Sequence, residues 1–190
     1  MHLEKPGIRV LGIAESYRER ESSILCGIVM RRDLIIDGCA YSRATVGGTD
    51  ATDAVLAIWD ALGRQDINAI LLSGCIISWF NIIDPERIRS ETGIPVIGVS
   101  YEESEGLDDD IRYHFPGDEK RLSTYQNLGK RISYPLSTGK PIYMRAWGTD
   151  HASAGRLCNI FTRQGHVPEP VRVARLVARG ADRFFRPVDS

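Results

Sequence analysis

Three apolar runs of strand length open the chain, joined by links too short for anything but antiparallel pairing. They cover residues 8–14, 24–32 and 34–45. A parallel crossover would need a dozen or more residues between strands, and these links, residues 15–23 and 33, are shorter. The polar stretch 16–23 reads as a solvated turn, and Asp37-Gly38 as a bulge or turn inside the third run. After residue 45 the apolar period changes. Gly47-Gly48-Thr49-Asp50 forms a loop, with Thr49 or Asp50 placed to cap a helix reaching about Leu62. Val55, Leu56, Ile58, Trp59 and Leu62 make its apolar stripe.

Strands and helices then alternate. Residues 68–77 predict a strand buried on both faces. Asp84-Pro85-Glu86 opens a helix that Gly93-Ile94-Pro95 ends, and 96–99 predicts another buried strand. The acidic run 102–110 reads as a solvated loop or helix start. A polar helix over 117–128, a strand over 141–147, a helix over 150–164 and a last helix from Pro168-Glu169-Pro170 to about Phe184 follow. In that last helix Val173, Val177, Ala181 and Phe184 read as the core-facing stripe, with Leu176 on its border. Three antiparallel strands followed by parallel βα units and flanking helices make an α/β fold with a mixed, ribonuclease H-like sheet. At 190 residues with no linker-like stretch, one domain over residues 1–190 is expected.

Charge excludes one easy inference. Lys and Arg total 24 and Asp and Glu 25, so no global field draws the chain to nucleic acid, and a local patch must do so. Cys26, Cys39, Cys75 and Cys158 show no metal-site spacing and read as buried thiols in a reducing compartment. No stretch reaches the roughly 20 apolar residues of a membrane span, so a cytoplasmic protein without a membrane partner is expected. No Gly-x-Gly-x-x-Gly or Walker-type loop marks a nucleotide fold.

The segments RVLGIAES at 9–16, GGTDATDAV at 47–55, LLSGCIISWFNIID at 71–84, GIPVIGVS at 93–100 and PEPVRVARLVA at 168–178 resemble the family called domain of unknown function 99. That family is similar to endonuclease V, a magnesium-dependent nuclease acting near deaminated purines. The resemblance spans nearly the whole chain. It implies a ribonuclease H-like fold and a Mg2+-dependent nuclease acting on DNA or RNA phosphodiesters. Its alternative is a catalytically inactive nucleic-acid-binding or ligand-binding domain.

By position, the resemblance assigns the acidic site to Glu15, Asp50 and the nearby Asp53, with Glu15 and Asp50 as metal ligands. Ser73 stands where the family pattern has the Asp of an Asp-Gly pair, and a neutral hydroxyl adds no charge to hold a divalent ion. The residues themselves leave a plainer reading open, with Glu15 a strand end and Asp50 a helix cap. Asp150-His151 follows a strand at a helix start, either as a late acid and His beside the site or as a cap. Arg172, Arg175, Arg179 and Arg183 recur at helical spacing, either as a phosphate-binding row or as a solvated face. Trp79-Phe80-Asn81 follows the fourth strand, where ligand contacts are common, and its aromatic pair suits base stacking or the packing of a helix on its sheet.

Overall fold

A computed structural model of the chain describes residues 7–17, 21–103 and 106–185. The turn expected at 16–23 and the acidic run at 102–110 therefore include residues, 18–20 and 104–105, that lie outside the described ones.

The three opening strands are β1 (Arg9–Ser16), β2 (Ser22–Arg31) and β3 (Ile36–Thr45). β2 pairs antiparallel with both neighbours. The β2–β3 register slips between Val29 and Met30, whose partners are Gly38 and Ile36, so Asp37 is the extra residue of a bulge. Helix α1 (Ala51–Leu62) follows and ends on left-handed Gly63. The run 68–77 is not one strand. β4 (Ala69–Leu72) stops at Ser73-Gly74, where Gly74 takes φ +91°, and the chain continues as a two-residue ladder of β5 (Ile76–Ile77) with β6 (Asn81–Ile82). α2 (Pro85–Thr92) is capped by Asp84 and leads into β7 (Val96–Ser100).

Helices α3 (Asp108–His114) and α4 (Glu119–Asn127) precede β8 (Ile132–Pro135) and β9 (Pro141–Trp147). β9 pairs antiparallel with β7, so it does not close a parallel βα unit. β8 is mostly exposed and carries no alternating pattern by which to read it. α5 (His151–Ile160) and α6 (Glu169–Phe184) complete the fold. The sheet order is β3-β2-β1-β4-β7-β9-β8, with β1–β4 and β4–β7 parallel. This is the ribonuclease H-like mixed sheet with flanking helices.

The sheet carries a core on each face. Leu11, Leu25, Val55, Ile58, Ile70, Leu72 and Ile88 pack under α1 and α2. Val10, Ile28, Leu71, Ile97, Leu157, Phe161 and Ala174 pack under α5 and α6. The fully buried face of α6 is Val171, Ala174 and Ala178; Val173 and Val177 of the expected stripe pack partly buried at its edge, whereas Phe184 is 82% exposed. Small side chains face inward because α6 lies close on β1, with its Pro170 backbone directly over Gly12. Cys26, Cys75 and Cys158 are buried, whereas Cys39 is exposed because β3 is a sheet edge. Among the described residues no helix is long and apolar enough to cross a membrane.

Candidate functional site

Because β1 and β4 run parallel, their carboxyl ends emerge side by side. Glu15 from β1 and Ser73-Gly74 after β4 line one small cavity with Ile13, Leu25 and Ile77. α6 crosses above. Arg175 Nη2 donates to Ser73 Oγ at 2.6 Å. Glu15, Ser16 and Tyr17 face Arg175, Arg179 and Arg183 across a polar cleft of about 310 Å³. Arg172 turns away and donates through Nε to Glu169 at 2.8 Å. Arg179 and Arg183 have no ion-pair partner among the described residues.

The carboxylate of Glu15 also holds a strained turn. Ser78, Trp79 and Phe80 take φ +45°, +58° and +60°, three consecutive non-glycine residues in the left-handed region. Each costs about 1–2 kcal/mol. Both Glu15 oxygens accept from Ser78 N, at 3.0 and 3.1 Å, and Oε2 accepts from Ser78 Oγ at 2.6 Å. Ser78 Oγ is also hydrogen-bonded to buried Ser23 Oγ. Gly47 N donates to Ser78 O at 2.7 Å.

The far end of the turn is fixed as firmly. Asn81 Nδ2 donates to Thr45 O at 2.9 Å and to Asp50 Oδ1 at 2.6 Å. Asp50 accepts from Thr45 N at 3.0 Å and from Thr45 Oγ1 at 2.7 Å. Buried Arg121 donates to the carbonyls of Gly47, Gly48 and Phe80. Asp50 sits at the N-cap position of α1 without making a side-chain cap bond. Asn81 Oδ1 takes Ala51 N instead, at 3.0 Å. The loop 45–50 and the turn 78–81 are thus one hydrogen-bonded unit.

Burial pushes the Asp50 carboxyl up, but the bonds from Thr45 and Asn81 outweigh it and hold it below the usual carboxylate range. A depressed pKa adds stability that is present above the unfolded value, near 3.9, and is lost as pH falls through the folded one. Thermal melting of the wild type is therefore expected to fall on acidification below about pH 4. Asp50→Asn should melt lower at neutral pH and lose part of that acid dependence. An unchanged acid slope would show that Asp50 is not a source of it.

The remaining candidates lie apart from the cleft lining. Asp53 is exposed and pairs with Arg87 of α2 at 2.8 Å. Asp150 caps α5, accepting from Ser153 N at 2.8 Å, and the Ser153 hydroxyl together with that amide holds its carboxyl low. His151 is exposed in the first turn of the same helix.

A two-ion magnesium site needs several carboxylates converging on the ions. Here the Glu15 oxygens are engaged by Ser78, those of Asp50 by Thr45 and Asn81, and a cation already contacts Ser73. Among the described residues no three His, Cys, Asp or Glu side chains gather as a metal site. As arranged, these residues do not fit such a pair of ions.

Beyond Gly74 lies a larger cleft of about 630 Å³, lined among others by Gly98, Glu103, Tyr125, Arg131, Tyr143 and Arg145. Arg145 is half-buried, and that burial lowers its pKa although it stays a cation. Its Nε donates to Gly129 O at 2.7 Å, and it has no carboxylate partner among the described residues. Sequence reasoning set Asn81 beside Trp79-Phe80 where ligand contacts are common, and passed over Ser78, Arg121 and Arg145, which no local pattern marks.

The family pattern described as endonuclease dU matches residues 6–181. The chain belongs to that family. Relatives include a UPF0215 protein of Pyrobaculum calidifontis, 39% identical over 92% of this chain and 97% of its own length. Another, from Thermococcus kodakarensis, is 34% identical over 92% of both chains. Among solved structures, a protein of unknown function from Archaeoglobus fulgidus is similar with TM-score 0.79 and 28% identity, over 92% of this chain and 98% of that one. Endonuclease V of Ciona intestinalis, solved with inosine-containing DNA, shares the fold with TM-score 0.63 and 15% identity, over 95% and 88%. The endonuclease dU family thus has an endonuclease V-like fold in this chain.

Proposed function

We propose that this chain, acting as a single domain, is a DNA endonuclease directed at deoxyuridine that grips the phosphate backbone with Arg175, Arg179 and Arg183. The observation that carries this reading is the cleft where those three guanidiniums face Glu15 at the carboxyl ends of β1 and β4. Guanidiniums bind phosphate oxygens through paired donors, and two of them, Arg179 and Arg183, have no ion-pair partner among the described residues. The same charges stabilise the negative charge that develops when water attacks phosphorus.

A carboxylate offers about four lone-pair sites, and Ser78 occupies three contacts on Glu15. The remaining capacity faces the cleft, where Glu15 takes a proton from the attacking water. The new P–O bond forms as the ester P–O bond breaks, and the leaving oxygen is protonated by solvent. The larger cleft is the place for the base. Arg145 offers only donors, which suit the carbonyl oxygens of uracil and oppose the amino group of cytosine.

Incubating the protein with end-labelled duplexes that differ only in one deoxyuridine tests this reading. Salt-sensitive binding and a cut in the deoxyuridine strand are expected. The Arg175→Ala, Arg179→Ala double variant should bind more weakly, with a salt slope reduced by about 0.9 per lost phosphate contact. Parallel reactions with magnesium and with chelator decide whether a divalent ion joins Glu15 once DNA phosphates supply further ligands. Binding without a cut in either would favour the inactive nucleic-acid-binding domain, a reading that the Arg175–Ser73 contact supports. No binding to either duplex at low salt would remove both readings.

A further inference from the structure

We propose that Trp79 is a stacking platform for an unpaired nucleobase, held out from the protein by the left-handed turn. The inference rests on the DNA-binding reading above and adds a contact that the cleft does not supply.

The turn is an unlikely place to put a tryptophan for packing. Its neighbours do pack: Ser78 and Asn81 are buried, and Phe80 lies against the core under α1. Trp79 alone points outward, 46% exposed, although a large apolar ring gains most from burial. Its backbone conformation is one that bulky residues avoid, and three charged side chains hold the turn there. Glu15 takes the amide and hydroxyl of Ser78, Asp50 holds Asn81, and Arg121 takes the carbonyl of Phe80. Strain kept in place by so many bonds points to use of the residue it displays.

The indole's surroundings suit a base. It meets Phe80 and His114 at ring-centroid distances of 5.5 and 4.8 Å, at steep angles of 82° and 62°, so among the described residues no ring lies parallel on it. Stacking on an aromatic face is open to every base, because every base has a π-face. Glu15 joins this platform to the phosphate cleft: it faces Arg175, Arg179 and Arg183 and also holds the residue before Trp79. A strand whose phosphates lie along the arginines would therefore bring a neighbouring base toward Trp79.

The test uses single-stranded oligodeoxythymidylate in chelator, followed by anisotropy of a labelled strand and by the protein's own tryptophan emission. Trp59 and Trp147 are partly buried against the core, so quenching on binding would report Trp79. The wild type should bind with quenching. Trp79→Ala should bind about tenfold more weakly, and Trp79→Phe within about threefold of wild type, because a ring still stacks. Both variants should lose the quenching. Melting curves check that each variant is folded, and Trp79→Phe keeps the test valid if Trp79→Ala is not. Arg175→Ala, Arg179→Ala should lose affinity yet keep the quenching at saturation. Wild-type binding that Trp79→Ala and Trp79→Phe leave unchanged in affinity and quenching would overturn the platform alone. No wild-type binding to any strand would overturn the DNA-binding reading, and the platform with it.

Discussion

Gly12→Ala is expected to lower stability by about 3 kcal/mol, near the upper end for overpacking a core. For a chain of this size that corresponds to a fall in melting temperature of roughly 10 °C. A Cβ on Gly12 would stand 2.4 Å from the Pro170 carbonyl carbon and 2.7 Å from its oxygen. These are backbone atoms at the start of α6 and cannot rotate aside. β1 cannot retreat either, since it is paired with β2 on one side and β4 on the other. The helix must lift, and Val171, Ala174 and Ala178 lose their contact with the sheet. The same movement shifts Arg175 from Ser73, so DNA binding should weaken along with stability. Gly180→Ala on the same helix is the control. Its new methyl meets nothing within 4 Å, and it should stabilise by up to about 1 kcal/mol because alanine is the better helix former. Thermal unfolding of both variants checks the pair. A Gly12→Ala melt within about 2 °C of wild type would mean that α6 does not pack as closely as this.

The small-residue face of α6 shows where sequence reading succeeds and where it stops. Periodicity placed the helix and its arginines, because charged and apolar residues recur at 3.6-residue spacing. It chose the larger side chains Val173, Val177 and Phe184 as the core face. Close approach of α6 to Gly12 instead centres that face on Val171, Ala174 and Ala178, with Val173 and Val177 partly buried at its edge and Phe184 exposed, and nothing local in the helix reveals how near its partner lies. The directions of β1–β4 and β7 were legible for a similar reason, since short links dictate antiparallel neighbours and buried runs dictate parallel ones, whereas the antiparallel pairing of β9 on β7 was not. β8 was not, because an exposed edge strand needs no apolar pattern.

The candidate site was legible as a set of neighbouring positions more than as an arrangement. Strand ends put Glu15 and Ser73 together, and helical spacing sets Arg175, Arg179 and Arg183, though not Arg172, along one cleft. What neither spacing nor composition discloses is the segment between the acidic residues. Ser78, Trp79 and Phe80 adopt a turn with no glycine in it, so no turn signal marks them. That turn engages the hydrogen-bonding capacity of Glu15 and Asp50, which the resemblance assigned to magnesium.

A coupling of about 2 kcal/mol is expected between Glu15→Ala and Ser78→Ala in a double-mutant cycle read by denaturant unfolding. Each single variant should be destabilised, Glu15→Ala more, because it leaves the Ser78 amide without its carboxylate in a nearly closed environment. Glu15→Gln should fare little better. Its amide presents donors to Ser78, which itself offers two donors, so only one oxygen can still accept. Ser78→Ala removes the hydroxyl bonds to Glu15 and Ser23 but keeps the amide bond, so the second deletion should cost less once the first is made. A Glu15 that merely ended a strand in solvent would behave otherwise. Its removal would fall within about 0.5 kcal/mol of wild type and add to that of Ser78. The cycle bears on function as well as stability. The three left-handed residues together store roughly 3–6 kcal/mol that the surrounding bonds must hold. Losing the Glu15 contacts gives the turn a reason to relax, and Trp79 at its centre would move with it. Glu15→Ala should therefore alter tryptophan emission in the absence of DNA, a change that loss of a catalytic base alone would not produce.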